Sequence, residues 1–206
     1  DDKWTEEAVA KIKETFTPNC VPLFVFNGTG SNVVALQLMT RPYHSIFCAE
    51  TAHIYVDECG SPVKMTGCQI CPIATPDGKL TPELMQPYLH GFGDQHHSQP
   101  RALYISQCTE LGTIYTPEEL KRLTDFAHLN GMYVHMDGAR IANACAALNL
   151  SLKELTVDCG VDILSFGGTK NGLMMGECVI VFNKDLQPEA RFIRKQSAQL
   201  ASKMRY

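Results

Sequence analysis

Residues 116–140 read TPEELKRLTDFAHLNGMYVHMDGAR, a helix and a strand set end to end with little room between them. Thr116 can cap the helix, Pro117 fits its first turn, Glu119 completes a capping box and Gly131 supplies the stop. Directly behind the stop, MYVHMD (132–137) is apolar enough for a buried strand, and it ends on a carboxylate followed by small residues. A helix delivered straight into a buried strand is the repeating unit of a parallel sheet covered by helices.

Outward from this unit the same alternation continues in both directions. Upstream, PLFVFN (22–27) reads as a strand, GTGS (28–31) as a loop and NVVALQLMT (32–40) as a helix. SIFCAE (45–50) is the next strand, a turn-rich stretch and the polar loop GFGDQHHSQP (91–100) follow, and RALYISQ (101–107) is a third strand. Downstream, GAR leads into the helix IANACAALN (141–149), and VDILSF (161–166) and ECVIVFN (177–183) are two further strands. The fold class is therefore α/β, a mainly parallel sheet flanked by helices. The end, KQSAQLASKMRY (195–206), carries an alanine- and leucine-rich helical pattern without a glycine stop.

Composition narrows the function. The 206 residues carry 18 Lys plus Arg against 22 Asp plus Glu, a net charge of −4 with no basic stripe, which argues against a nucleic-acid partner. No apolar run reaches the roughly 20 residues needed to span a bilayer, and the acidic start DDKWTEEAVA lacks the pattern of a signal peptide, so the chain reads as soluble and cytoplasmic. Its nine cysteines are scattered through apolar segments, as expected of reduced buried thiols. Cys68 and Cys71 in GCQICP have zinc-knuckle spacing but no second pair, and no metal site is expected.

The residues that could carry chemistry fall at strand ends. In open parallel sheets ligands bind beyond the carboxyl ends of the strands, and Gly28, Asp137 and Lys170 each follow or end a strand. The loop NGTGSN (27–32) offers backbone N–H groups and the Thr29 hydroxyl at a helix N-terminus, which suits an anion; it is neither a Walker loop nor G-x-G-x-x-G. Asp137 needs a partner, either Arg140 in a structural pair or a protonated heterocyclic nitrogen. At about 4 Å and an effective dielectric near 20, the latter attraction is roughly 4 kcal/mol before desolvation. Lys170 stands among glycines in SFGGTKNG (165–172), where it could be a phosphate ligand, a covalent nucleophile or a surface residue. An anion loop, a carboxylate and a lysine on one rim are together the set that pyridoxal 5'-phosphate requires.

The runs AETAHIYVDECGSP (49–62), ISQCTELGTIYTPEEL (105–120), VHMDGARIANA (134–144) and SFGGTKNG closely resemble the low-specificity threonine aldolases. These are fold-type I pyridoxal phosphate enzymes within the wider β-eliminating lyase group. The resemblance covers nearly the whole chain and implies an aminotransferase-like large domain over residues 1–185. Residues 186–206 would begin a linker helix, with the family's N-terminal segment and its C-terminal domain lying outside these residues. It implies that Lys170 holds the cofactor covalently, that Asp137 pairs with the pyridine nitrogen, and that Arg140 helps to hold the cofactor. Gly28, Thr29 and Gly30 would bind the phosphate, with Thr169, and the glycines beside Lys170 would let the backbone pass close to the cofactor. His53 would lie over the pyridine ring and take or position a proton, and Glu110 would stand near the substrate side chain. The implied reaction is cleavage of threonine or allo-threonine to glycine and acetaldehyde by a homodimer or homotetramer. Another fold-type I lyase, an aminotransferase and a non-catalytic module are the alternatives.

Overall fold

The computed structural model describes residues 2–202. In chain order its elements are α1 (Lys3–Thr15), β1 (Val21–Val25), α2 (Gly28–Met39), β2 (His44–Ala49), α3 (His53–Val56), α4 (Ser61–Thr66), β3 (Gln69–Ile73), α5 (Pro82–Met85) and β4 (Gln99–Ser106). There follow α6 (Pro117–Leu129), β5 (Tyr133–Gly138), α7 (Ile141–Leu148), β6 (Ile163–Gly167), β7 (Glu177–Val181) and α8 (Gln187–Gln196). The strands form one seven-stranded sheet in the order β1-β7-β6-β5-β4-β2-β3.

The capping box expected around Thr116 is present: its hydroxyl accepts from the Glu119 N–H, and the Glu119 carboxylate accepts from the Thr116 N–H. β3 was not legible beforehand; its sequence, QICPI, holds a proline and lies in the turn-rich stretch, and it forms at the sheet edge, where proline is tolerated. The sheet is parallel from β3 to β6, but β7 runs antiparallel to both neighbours. Only residues 168–176 connect β6 to β7, and a parallel crossover needs a dozen or more. The short return brings the start of β7 to the same rim as the end of β6.

Strand residues alternate between two cores, one on each face of the sheet. Leu103, Ile105, Val134, Met136 and Ile180 pack with Phe16, Leu120, Leu123 and Ile141 of α1, α6, α7 and their flanks. Ala102, Tyr104, Val179 and Val181 pack with Val34, Ala35, Leu38 and Ala190 of α2 and α8. α2 is buried almost all round, yet it begins with the buried polar residues Ser31 and Asn32. GTGS, expected as a loop, is in fact the first turn of this helix, because the Asn27 side chain caps the Gly30 N–H at 2.7 Å.

The helical pattern expected through the chain's end stops at Gln196. Gln199 donates its N–H to Arg194 O and Ala198 donates to Lys195 O, with Ala198 left-handed at φ 58°, which is a Schellman motif built on alanine where the sequence rule looks for glycine. The last part of the expected linker, 203–206, lies outside the described residues. Among the described residues no helix is long and apolar enough to cross a membrane.

Candidate active site

A cleft opens over the carboxyl ends of the parallel strands, lined by residues from α2, α3, β5, β6, β7 and the loops after β4, β5 and β6. Of the residues expected in a site, Gly28, His53, Glu110, Asp137, Arg140 and Lys170 all line it. The three polar features far apart in sequence thus converge on one rim. Thr29, Gly30 and Thr169 do not reach the lining. The Gly30 N–H is engaged by Asn27, and a Cβ on Gly30 would lie 2.4 Å from the Gln199 side chain, so that face of the turn is covered. The Thr169 hydroxyl is turned back onto its own loop, accepting from the Gly176 N–H at 3.1 Å.

Asp137 is placed by β5 and held by three neutral donors. Tyr104 donates its hydroxyl to Oδ2 at 2.7 Å, Asn32 donates Nδ2 to Oδ2 at 3.2 Å, and the Ala139 N–H donates to Oδ1 at 2.9 Å. Burial pushes the Tyr104 phenol well above its ordinary value, which keeps it a donor. The structural pair between Asp137 and Arg140 does not form, and among the described residues no cation lies within ion-pair distance of Asp137. The carboxylate is oriented but its charge is not neutralised.

Lys170 sits in a 3₁₀ turn, Thr169–Asn171, immediately after β6, and is exposed. The glycines before it are required by contacts within the protein. A Cβ on Gly167 would stand 2.8 Å from Ala139 Cα, and one on Gly168 would stand 2.8 Å from Gly176 O, so they permit backbone to pass backbone within the protein. Gly172 takes φ 97°, a conformation in which any other residue is strained.

His53 is the first residue of α3, and two carboxylates hold it. Glu110 Oε1 accepts its backbone N–H at 2.9 Å and also the Ser106 hydroxyl at 2.7 Å. Glu58 Oε1 lies 3.1 Å from His53 Nδ1. Glu58 is fully buried, and burial raises its carboxyl above the ordinary range, against the lowering effect of hydrogen bonds from Asn32 and His53. Glu177, at the start of β7, also lines the cleft, its carboxyl raised by burial.

Asn32, Glu58, Ser106, Cys108, Ala139, Ser165 and Glu177 are lining residues that sequence reasoning did not single out. Two of them carried a signal. Asn32 is a polar residue at the head of an otherwise apolar helix, and Glu58 stands five residues after His53 within AHIYVDECG.

The chain matches the family of beta-eliminating lyases over residues 1–206. It belongs to the beta-eliminating lyase family. It is 44% identical to a low specificity L-threonine aldolase of Pseudomonas aeruginosa, a match covering 100% of this chain and 60% of the relative. A second low specificity L-threonine aldolase, from a Pseudomonas species, is 42% identical with the same coverage. In three dimensions the chain superposes on the threonine aldolase of Leishmania major with a TM-score of 0.90 and 32% identity, over 97% of this chain and 58% of that one. An archaeal alanine:glyoxylate aminotransferase, 16% identical with a TM-score of 0.67, shares the fold. The chain therefore spans about 60% of the length of the family members it matches.

The residues present fit pyridoxal 5'-phosphate. Asp137 offers a charge without a cation, as a pyridinium nitrogen needs. At the N-terminus of α2, Gly28 lines the cleft and a Cβ on it would meet nothing within 4 Å, so there is room for an anion there, and the helix dipole favours one. Lys170 supplies an amine on the same cleft.

Proposed function

We propose that the protein carrying this chain cleaves β-hydroxy-α-amino acids, threonine and allo-threonine among them, to glycine and an aldehyde, with pyridoxal 5'-phosphate as cofactor. The observation that carries this reading is the convergence of Lys170, Asp137 and His53 on one cleft with Asp137 lacking a cationic partner. Two family members at 42% and 44% identity are threonine aldolases, which supports it.

When bound, the cofactor supplies an aldehyde carbon and a protonated ring that accepts an electron pair. Lys170 is the amine that would hold the aldehyde, and Asp137 the carboxylate that would keep the ring nitrogen protonated. Gly28 and Thr29 would receive the phosphate through their N–H groups, and Arg140 would help to hold the cofactor. His53 would accept the β-hydroxyl proton as the carbon–carbon bond opens, and return it afterwards. Glu110, which fixes the His53 backbone, would stand beside the substrate side chain. Residues 1–185 are the large cofactor-binding domain in this reading.

Exposed apolar side chains support assembly into a dimer or tetramer. Tyr55 and Val56 lie on the helix that carries His53, and Leu173, Met174 and Met175 on the loop that carries Lys170; all are more than half exposed.

Borohydride reduction of the protein with its cofactor, followed by peptide mass analysis, is expected to find the cofactor fixed to Lys170. Lys170→Ala is expected to lose that label and about 10³-fold or more in turnover. Glycine plus an aldehyde as products would support cleavage; pyruvate plus ammonia would replace it with β-elimination, and threonine turnover by Lys170→Ala at the wild-type rate would end the reading.

A further inference from the structure

Beneath the cleft runs a chain of buried polar groups that the cofactor-binding assignments above leave without a role. The Ser31 hydroxyl donates to Ser165 Oγ at 2.8 Å, and Ser165 donates to Asn32 Oδ1 at 2.9 Å. With its oxygen so occupied, Asn32 turns its amide nitrogen to two carboxylates at once, Glu58 Oε1 at 2.9 Å and Asp137 Oδ2 at 3.2 Å. Asn32 is 1% exposed and Ser165 4%. Glu58 then faces His53 with the same oxygen that Asn32 holds, while its other oxygen, Oε2, is buried without a hydrogen-bond partner.

This arrangement is costly as mere packing. A buried carboxylate with an unpartnered oxygen forfeits solvation that a leucine or methionine in its place would not need. What a carboxylate does that an apolar side chain cannot is accept only: when ionised it has no proton to give, so every group hydrogen-bonded to it must be a donor. Oε1 takes Asn32 Nδ2–H through one lone pair, and the other is directed to His53 Nδ1. A protonated Oε1 donating to Nδ1 would instead place the ring hydrogen on Nε2, so the tautomer of His53 reports which partner holds the shared proton.

We infer that Glu58 and Asn32 are positioning residues that lock His53 in the tautomer bearing hydrogen on Nδ1, leaving Nε2 as the free acceptor in the cleft, and tie that ring to Asp137 through one amide. The inference rests on the cleavage reading for the proton that Nε2 receives. In that step the substrate's β-hydroxyl proton moves to the Nε2 lone pair, the ring becomes cationic, and its charge faces the Glu58 carboxylate across the 3.1 Å contact. The proton leaves by the same nitrogen. Nε2 has no protein partner among the described residues, consistent with an acceptor kept for substrate. Because Asn32 grips both carboxylates, the base and the ring-nitrogen partner are held as one unit.

Two measurements on the complete protein with its cofactor test this. Nitrogen NMR of ring-labelled histidine, assigned by the signals lost in His53→Phe, is expected to show His53 with a protonated Nδ1 and a bare Nε2 in the absence of substrate. The opposite tautomer would overturn the inference, whatever the reaction catalysed. Glu58→Gln, which keeps the shape but can turn an N–H toward the ring, is expected to lower kcat about 10²-fold. KM and cofactor affinity should stay within about threefold, and the ring signals should become a mixture of tautomers. A variant that lost cofactor affinity while its cofactor-loaded molecules kept wild-type kcat and a single unchanged tautomer would make Glu58 purely structural and overturn the inference. If Glu58→Gln does not fold, the tautomer in the unaltered protein decides alone. Failure of the unaltered protein to release glycine would sink the cleavage reading and not the tautomer assignment.

Discussion

Two aspartates stand at opposite ends of neighbouring parallel strands, and they are treated differently. Asp162 lies just before β6 and is 5% exposed. Its Oδ2 receives the Val134 N–H at 2.7 Å and His128 Nε2 at 2.9 Å, and its Oδ1 receives Asn183 Nδ2 at 2.7 Å. Asp137 closes β5 at the other rim, half-buried, with three neutral donors and no cation. Both carboxylates are oriented by the fold, but only one has its charge answered within it. A carboxylate held firmly and left without a cation is available to a ligand; one saturated by histidine, asparagine and backbone is part of the frame.

Substitution should separate the two roles. Asp137→Asn keeps one acceptor oxygen, enough for Tyr104 and Asn32 but not for the Ala139 N–H, and removes the charge; turnover is expected to fall about 10³-fold, an activation cost of roughly 4 kcal/mol. Its stability should fall by only about 1 kcal/mol. Steady-state kinetics and urea unfolding, run on the same preparation, check this, and an Asp137→Asn protein with near-normal turnover would erase the distinction. Asp162→Ala should do the reverse, costing about 3 kcal/mol of stability because it strands a histidine and a buried Val134 N–H, while the folded fraction retains its turnover.

Two histidines extend the comparison with opposite signs of pH dependence. The hydrogen bond that His128 donates to Asp162 raises the histidine's pKa, so the stability of that pair is fully present below the ordinary 6.5 and is lost as pH rises through the raised value. His135, under the active cleft, bonds Ser165 Oγ at 2.9 Å through Nε2, and burial lowers its pKa to about 4. The unfolded chain takes up a proton near 6.5 that the folded one refuses until about 4, so what His135 contributes is present above 6.5 and fades as pH falls. Between pH 7 and 4.5 this loss should reach about 2 kcal/mol. Urea unfolding of the unaltered protein and of His135→Asn at both pH values should show their stability difference shifting by that amount in favour of the variant; a constant difference would mean that His135 titrates alike folded and unfolded.

Much of the site was legible because its members are rare residue types at strand ends. Asp137 after MYVHM and Lys170 within GGTKNG stand out against apolar neighbours, and the parallel sheet brings their strand ends to one rim. Their contacts were less legible. Arg140 was a plausible partner for Asp137 by spacing, yet the chain turns at Gly138 and Ala139, and Tyr104 and Asn32 from two other elements hold the carboxylate. The glycines around Lys170 were conspicuous, but their close approach to Ala139 and Gly176 depends on β7 folding back beside β6. Glu58 gave no periodic signal, since its role depends on a hydrogen bond from α2 and another from α3.

By itself, then, the sequence determined what is local: the capping box of α6, the alternation of helix and strand, and the chemical identity of an amine, a carboxylate and an imidazole at turns. These follow from backbone hydrogen bonding and hydrophobic period, which act over a few residues. Only the tertiary structure decided the reversed direction of β7, the alanine-built end of α8, the covering of Gly30 by Gln199, and the grip of Asn32 on two carboxylates. Each depends on groups far apart in the chain that meet once the sheet has formed, and a buried hydrogen bond between such groups has no counterpart in local spacing.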